Sequence, residues 1–373
     1  MSLAFRYKQV CLAAFTLTLG ANAIALSLND YTNPKAPCFP RATSSHLTVA
    51  DTHIHFRPFS GPSVSYQNLL DEIRKNGVLF PGVMGIGQRL PNGAIDENGK
   101  ECESYRDCKG VPARPTVKND LVNAANYVEF KAPGMKPIFH MTFPDLADPA
   151  DILTIKALYD KEYPDMFKAM GESNVVKQAL FPNLHAPVTT QQIDSWSAFM
   201  PALQASGMPL FLHADLGSDQ NPHEYLPLIQ YILNKYPNNK IVWLHLGISG
   251  ELTTIAPTDH IAILTQLLES HPNLYVDTSW RVLEDSYFSK YRAQYVAFLN
   301  RYSSRIITGS DYVAYKNKAP AYNYTDELKA SSEMNKYVDD AAFRNIALGQ
   351  TYLTMLGMTD TYNAPPICGA LTK

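Results

Sequence analysis

From residue 49 onward the chain alternates short, β-rich apolar runs with longer segments whose apolar residues recur at helical spacing. That alternation is the signature of repeated βα units feeding a parallel sheet. Eight runs fit strands: 49–55, 78–86, 137–142, 167–172, 209–213, 241–245, 274–277 and 305–310. Each leaves room for a following helix, and helical spacing predicts 66–75, 148–163, 190–206, 223–236, 261–270 and 284–301. Breakers such as Asp148-Pro149, Ser206-Gly207 and Tyr236-Pro237 punctuate several of these. Eight strands with eight crossovers predict a (β/α)8 TIM barrel, a fold whose active site lies at the C-terminal ends of the strands.

Polar residues fall where that geometry wants them. His53 and His55 close the first strand, Glu172 the fourth, His213 the fifth and His245 the sixth, and Asp311 follows the eighth. The stretch 88–116 breaks the rhythm. It is rich in Pro, Gly and charge, holds two cysteines, and reads as a loop insertion between strand two and its helix, either covering the mouth or stapled at the surface. The barrel is expected over 49–358, closed by helices in 324–358, with an N-terminal extension at 26–48 and a tail at 359–373.

The first residues belong to a different pattern. Arg6 and Lys8 precede the apolar run 10–19, and Ala21-Asn22-Ala23 and Ala23-Ile24-Ala25 offer small-residue cleavage sites, which reads as a signal peptide over 1–25. The run is short of the roughly 20 apolar residues a spanning helix needs, so no stable membrane insertion is expected after cleavage. Periplasmic or secreted localisation follows.

An apolar fraction of 46% and a charged fraction of 18% fit a soluble globular chain and exclude fibrous and polytopic classes. Removing 1–25 leaves 30 basic against 35 acidic residues, a formal charge of −5. Such a surface argues against nucleic acid as partner and leaves a small-molecule substrate; a homodimer stays open. Cys38, Cys102, Cys108 and Cys368 remain for an oxidising compartment to pair. Cys102 with Cys108 closes a short loop, and Cys38 with Cys368 ties the two ends together; four free thiols are the alternative.

In a strand, residues two apart face the same side, so His53 and His55 project together with Cα atoms roughly 6–7 Å apart, suited to one metal ion. A lone His-x-His is equally two hydrogen-bonded histidines at a strand end. The pair gains weight because two later apolar strands also end in histidine and Gly309-Ser310-Asp311 adds a carboxylate, which packing alone explains poorly.

Asp51-Thr52-His53-Ile54-His55, the later single histidines and Gly309-Ser310-Asp311 resemble the amidohydrolase superfamily, nearest its amidohydrolase-related branch, over about residues 49–358. The segment 348–357 is similar to that branch's closing helix, without its usual Asn-Ala pair. The resemblance implies a metal-dependent hydrolase. His53 and His55 would ligate the more buried ion, and His213 and His245 a second ion, or substrate and water. Asp311 would be ligand and base, and Glu172 a bridging carboxylate in place of the carboxylated lysine of many members. Lys168 and Lys177 are poorer bridges, each requiring a shifted strand end. A divalent ion lowers the pKa of its water, and a nearby carboxylate takes the proton and passes it on. Imidazoles with carboxylates suit zinc first, as one or two ions.

Weaker readings surround this set. Asp51 shares the inward face of the histidine pair, either supporting it or making a buried hydrogen bond within the barrel, and Asp277 ends strand seven and caps its turn. Arg281 and His185 are candidates for substrate binding, and His140 is a candidate for lining the pocket. The expected reaction is hydrolysis of a lactone, amide or ester. Non-oxidative decarboxylation by a single ion is the alternative within the branch, and a non-catalytic periplasmic binding protein the alternative outside it. Glu172 discriminates the first two.

Overall fold

The β-rich runs come together in one sheet whose neighbours are all parallel. Its strands are β1 (Ile54–His55), β2 (Gly82–Met84), β3 (Ile138–Met141), β4 (Phe167–Val176), β5 (Leu210–Ala214), β6 (Ile241–Trp243), β7 (Leu274–Asp277), β8 (Ile306–Ile307) and β9 (Tyr312–Val313). They are ordered β8-β7-β6-β5-β4-β3-β2-β1-β9. The computed structural model describes residues 26–368 apart from 103 and 319. The signal-peptide reading of 1–25 lies outside the described residues.

Where one strand was expected over 305–310, the chain makes two. β8 pairs with β7, and β9 pairs with β1. Between them Thr52 N–H donates to Thr308 O at 3.0 Å and Asp311 N–H to His53 O at 2.9 Å. The sheet therefore curls until one segment serves both of its ends. At the break the chain passes close to β1, since a Cβ at Gly309 would stand 2.7 Å from His53 Cβ, and Asp311 sits at φ 54. Such backbone is costly for a non-glycine residue, and it turns the Asp311 carboxylate toward β1.

Helices pack outside the sheet. Tyr66–Lys75 matches expectation residue for residue, with the Ser65 hydroxyl accepting from Asn68 N–H. Ile152–Glu162, Leu226–Lys235, Pro257–Ser270 and Arg292–Tyr302 fill other expected places, while 190–206 is split into Thr190–Ser195 and Met200–Ser206. Helix Lys118–Phe130 escaped the sequence reading because its buried face carries Asn119, Asp120 and Asn123 instead of an apolar stripe. Asp120 accepts from Thr142 N–H (2.7 Å), Thr142 Oγ (2.5 Å) and Phe143 N–H (3.2 Å). Burial nevertheless pushes its pKa up to about 7.

Both expected disulfides form, with Cα–Cα separations of 4.7 Å for Cys38–Cys368 and 5.8 Å for Cys102–Cys108. The first clasps the extension to the end of the described chain, helped by Phe39 N–H to Pro366 O (2.7 Å) and Tyr31 Oη to Leu348 O (2.8 Å). The second lies in the 88–116 insertion, whose Leu90, Ala94, Cys102, Cys108 and Ala113 form a small core with Leu180 from the turn after β4. Ser60 Oγ donates to Cys102 O at 2.6 Å and Asn183 Nδ2 to Cys108 O at 2.7 Å, fixing the loop to the barrel side. Among the described residues no helix is long and apolar enough to cross a membrane.

Candidate metal centre

The first strand is shorter than the expected 49–55, so His53 immediately precedes β1 and only His55 ends it, and their Nε2 atoms stand 3.1 Å apart. Each imidazole is held from behind. His55 Nδ1 lies 2.5 Å from Gly85 O, which only accepts, so that nitrogen carries the proton and Nε2 presents a lone pair. His53 Nδ1 faces Asp277 Oδ2 at 3.3 Å and Ser279 Oγ at 3.1 Å, which favours the same tautomer.

Two carboxylates meet these lone pairs. Glu172 Oε2 is 3.2 Å from His53 Nε2 and 3.0 Å from His55 Nε2, and Asp311 Oδ1 is 3.5 and 3.2 Å from the same atoms. Four acceptor atoms converging out of water repel one another unless protons or a cation stand between them. The four residues form a group able to hold an ion. Their electrostatics say the same: burial opposes charge on His53, but Asp277, Glu172 and Asp311 outweigh it and raise its pKa well above the usual value. His55 is raised by Asp311 and Glu172 against its own burial. Burial alone would raise Asp311, yet His55, His53 and His245 hold it far below the carboxylate range.

A second group adjoins the first. Glu172 Oε1 lies 2.9 Å from His213 Nδ1, a buried nitrogen with no hydrogen-bond partner of acceptable geometry. His213 Nε2 donates to Asp215 Oδ1 at 2.8 Å, which leaves Nδ1 as a lone pair. Glu172, His213 and His245 together form another group able to hold an ion. Lys177 Nζ, 2.6 Å from Glu172 Oε1, supplies the charge that keeps this buried carboxylate ionised, with help from the three histidines.

His245 does not end a strand as expected. β6 stops at Trp243, and His245 and Leu246 take left-handed backbone at φ 55 and 54. Asp277 Oδ1 accepts His245 N–H at 3.0 Å, and buried His260 lies with Nε2 2.9 Å from Leu246 O, so the uncommon turn is held from both sides. Glu172 was expected at the end of strand four, but β4 runs on to Val176 and places it mid-strand. Asp51 acts behind the site, accepting from Ser310 N–H (2.8 Å), His53 N–H (3.3 Å) and Tyr324 Oη (3.0 Å).

In front of these two groups opens a cavity of about 600 Å³, whose wall includes His55, His213, Asp311, Lys177 and Arg281. Arg281 thus lies at the cavity, its Nε 3.1 Å from Asp285 Oδ2. His185 is not among the lining residues; it packs near Phe181, and burial together with the charges of His213 and Lys177 lowers its pKa to about 4. His140 is likewise absent from the wall, buried with Nε2 3.0 Å from Tyr352 Oη. Sequence reasoning missed Asp215, Ser279 and Trp280; only Asp215, two residues after His213, repeats the His-x-His spacing that signals a shared face.

No family model and no curated protein matches the chain. Among solved structures it is similar to a dihydroorotase from Campylobacter jejuni, at 13% identity and a TM-score of 0.51, over 83% of this chain and 84% of that one. It is also similar to an amidohydrolase from Burkholderia multivorans with bound HEPES, at 11% identity and 0.51, over 83% and 99%. At such identities the likeness is one of fold, and it matches the fold that the sequence resemblance implied.

Proposed function

We propose that the chain is a metal-dependent hydrolase acting on a small-molecule lactone, amide or ester. His53, His55, Glu172, His213, His245 and Asp311 form its ligand set, and zinc is the first-choice ion. The observation that carries this reading is the divided aim of Glu172, with Oε2 toward His53 and His55 and Oε1 toward His213. A carboxylate placed between two adjacent donor groups would serve an ion in either of them, which supports two ion sites and with them hydrolysis over decarboxylation by a single ion.

An ion in this donor set supplies Lewis acidity and brings the pKa of water toward neutrality. The chain's own part is positional. Asp311, held ionised and reaching the cavity wall, accepts the proton of the attacking water and delivers it to the leaving group. The buried histidines keep their Nε2 or Nδ1 lone pairs inward because Gly85 O, Asp277, Ser279 and Asp215 occupy the opposite nitrogens. Two disulfides support export to an oxidising compartment as part of the same proposal.

The test is metal analysis of the purified chain, then an ester, lactone and amide screen with and without chelator. Activity is expected to vanish on metal removal and return with zinc. Asp311→Asn is expected to lower kcat by roughly 10²–10⁴-fold with the fold intact. Full activity after verified metal removal refutes the proposal.

A further inference from the structure

One wall of the cavity has chemistry that hydrolysis itself does not use. Lys177, the residue after β4, has a buried ammonium 2.6 Å from Glu172 Oε1 and 5.4 Å from the centroid of the Phe59 ring. Phe59 packs edge-on against Tyr105 at 4.8 Å, and the Arg106 guanidinium lies over the Tyr105 ring at 5.6 Å. All four residues line the cavity. Tyr105 and Arg106 come from the loop closed by Cys102–Cys108, which the anchoring bonds of Ser60 and Asn183 hold in place. Trp280, on the same cavity, is kept at φ 83 beside His245, an uncommon backbone for so bulky a residue and one that recurs at ligand sites.

The charges decide what this wall wants. Without a cation, Lys177 and Glu172 neutralise each other. If Glu172 serves as a metal ligand its charge is shared with the ion, as is that of Asp311, and the Lys177 ammonium, mostly buried at the cavity wall, keeps among the described residues only the face of Phe59 as a weak partner. A buried cation requires an anion.

We propose that the substrate brings it: the site takes a carbonyl compound carrying a carboxylate on a flat aromatic body, the carboxylate on Lys177 and the ring against Phe59 and Tyr105, with Arg106 at the rim. This rests on the hydrolase reading and adds the substrate class.

The test is calorimetric binding of benzoate, benzamide and cyclohexanecarboxylate to the zinc-loaded full chain and its variants, with zinc content measured in each. Benzoate is expected to bind more tightly than either analogue. Lys177→Met is expected to weaken benzoate by roughly tenfold or more while leaving benzamide unchanged, and Lys177→Arg to retain both zinc and benzoate. Benzoate bound as tightly by Lys177→Met with zinc content unchanged overturns the proposal, since the anion then sits on the metal. Should Lys177→Met lose zinc, Tyr105→Ala and Arg106→Gln decide: weakened benzoate at full zinc content supports the wall, and wild-type binding in both overturns it. A chain that binds benzoate through Lys177 yet hydrolyses nothing in the screen defeats the hydrolase reading alone.

Discussion

Replacing Ser279 by alanine should weaken metal binding at the proposed centre without touching any of its proposed ligands. Its buried hydroxyl has three partners, Asp277 Oδ1 at 2.5 Å, His245 Nδ1 at 2.9 Å and His53 Nδ1 at 3.1 Å. A hydroxyl has one proton, and an ionised Asp277 only accepts, so Ser279 donates there and receives Nδ1–H from both imidazoles. One side chain therefore sets the tautomer of a histidine in each donor group. In Ser279→Ala, His53 keeps Asp277 Oδ2 at 3.3 Å, whereas His245 Nδ1 keeps only the backbone carbonyl of residue 279 at 3.3 Å. Losing such an outer partner lowers metal affinity about 10–100-fold, and the group containing His245 should bear most of it. Losing one of three donors to the buried Asp277 Oδ1, which keeps the N–H groups of His245 and of residue 279, should cost about 1.5–3 kcal/mol of stability in the metal-free chain. Zinc titration against a chelating indicator, with the two equivalents resolved, reads the first effect, and denaturant unfolding reads the second. Wild-type affinity at both equivalents would refute the clamp.

The metal-free chain should lose stability as pH rises. His53 and His55 have folded pKa values above the ordinary one, because the carboxylates around them outweigh burial. Their contribution is therefore complete below about 6.5 and is lost as pH climbs through the folded values. Zinc affinity should rise over the same window, since the metal needs unprotonated imidazole; melting curves at pH 7 and 9 with and without chelator check both, and a flat metal-free profile contradicts the assignment. Cys38→Ser opens a link spanning 330 residues and should cost about 2–5 kcal/mol in denaturant unfolding, with zinc affinity unchanged because the clasp touches no ligand. Gly309→Ala forces a Cβ to 2.7 Å from His53 Cβ and 2.8 Å from His53 N. It should cost about 1–3 kcal/mol by overpacking and weaken zinc binding, and a variant with normal zinc affinity would show that the turn yields.

What could be read from the sequence was whatever follows a period. Apolar runs located the strands, Leu274–Asp277 to the residue, and helical spacing located Tyr66–Lys75 equally closely; histidines placed along or after such runs led to His53, His55, His213 and His245. Glu172 was found for a partly mistaken reason. It was expected to close its strand, but β4 continues to Val176, and Glu172 faces inward from mid-strand two residues before Asn174, which pairs with His213. That same extension brings Lys177, discounted as a bridge, against the carboxylate. Asp277 and Ser279 were illegible as partners because they meet His53 across more than two hundred residues of chain.

Hardest to foresee was the left-handed backbone at His245, Trp280 and Asp311, where no glycine announces it. Each such residue costs on the order of 1–3 kcal/mol and persists only where its surroundings over-determine it. Here they do: Asp277 takes His245 N–H, His260 meets Leu246 O, and His53 O takes Asp311 N–H. All three strained positions face the same cavity or its ligand groups. Four of the seven non-glycine residues at positive φ among the described residues, His245, Leu246, Trp280 and Asp311, therefore gather where two donor groups converge on one space, with Lys131, Asp165 and Leu184 elsewhere, and the ordinary periods of the sheet and helices are what hold them there.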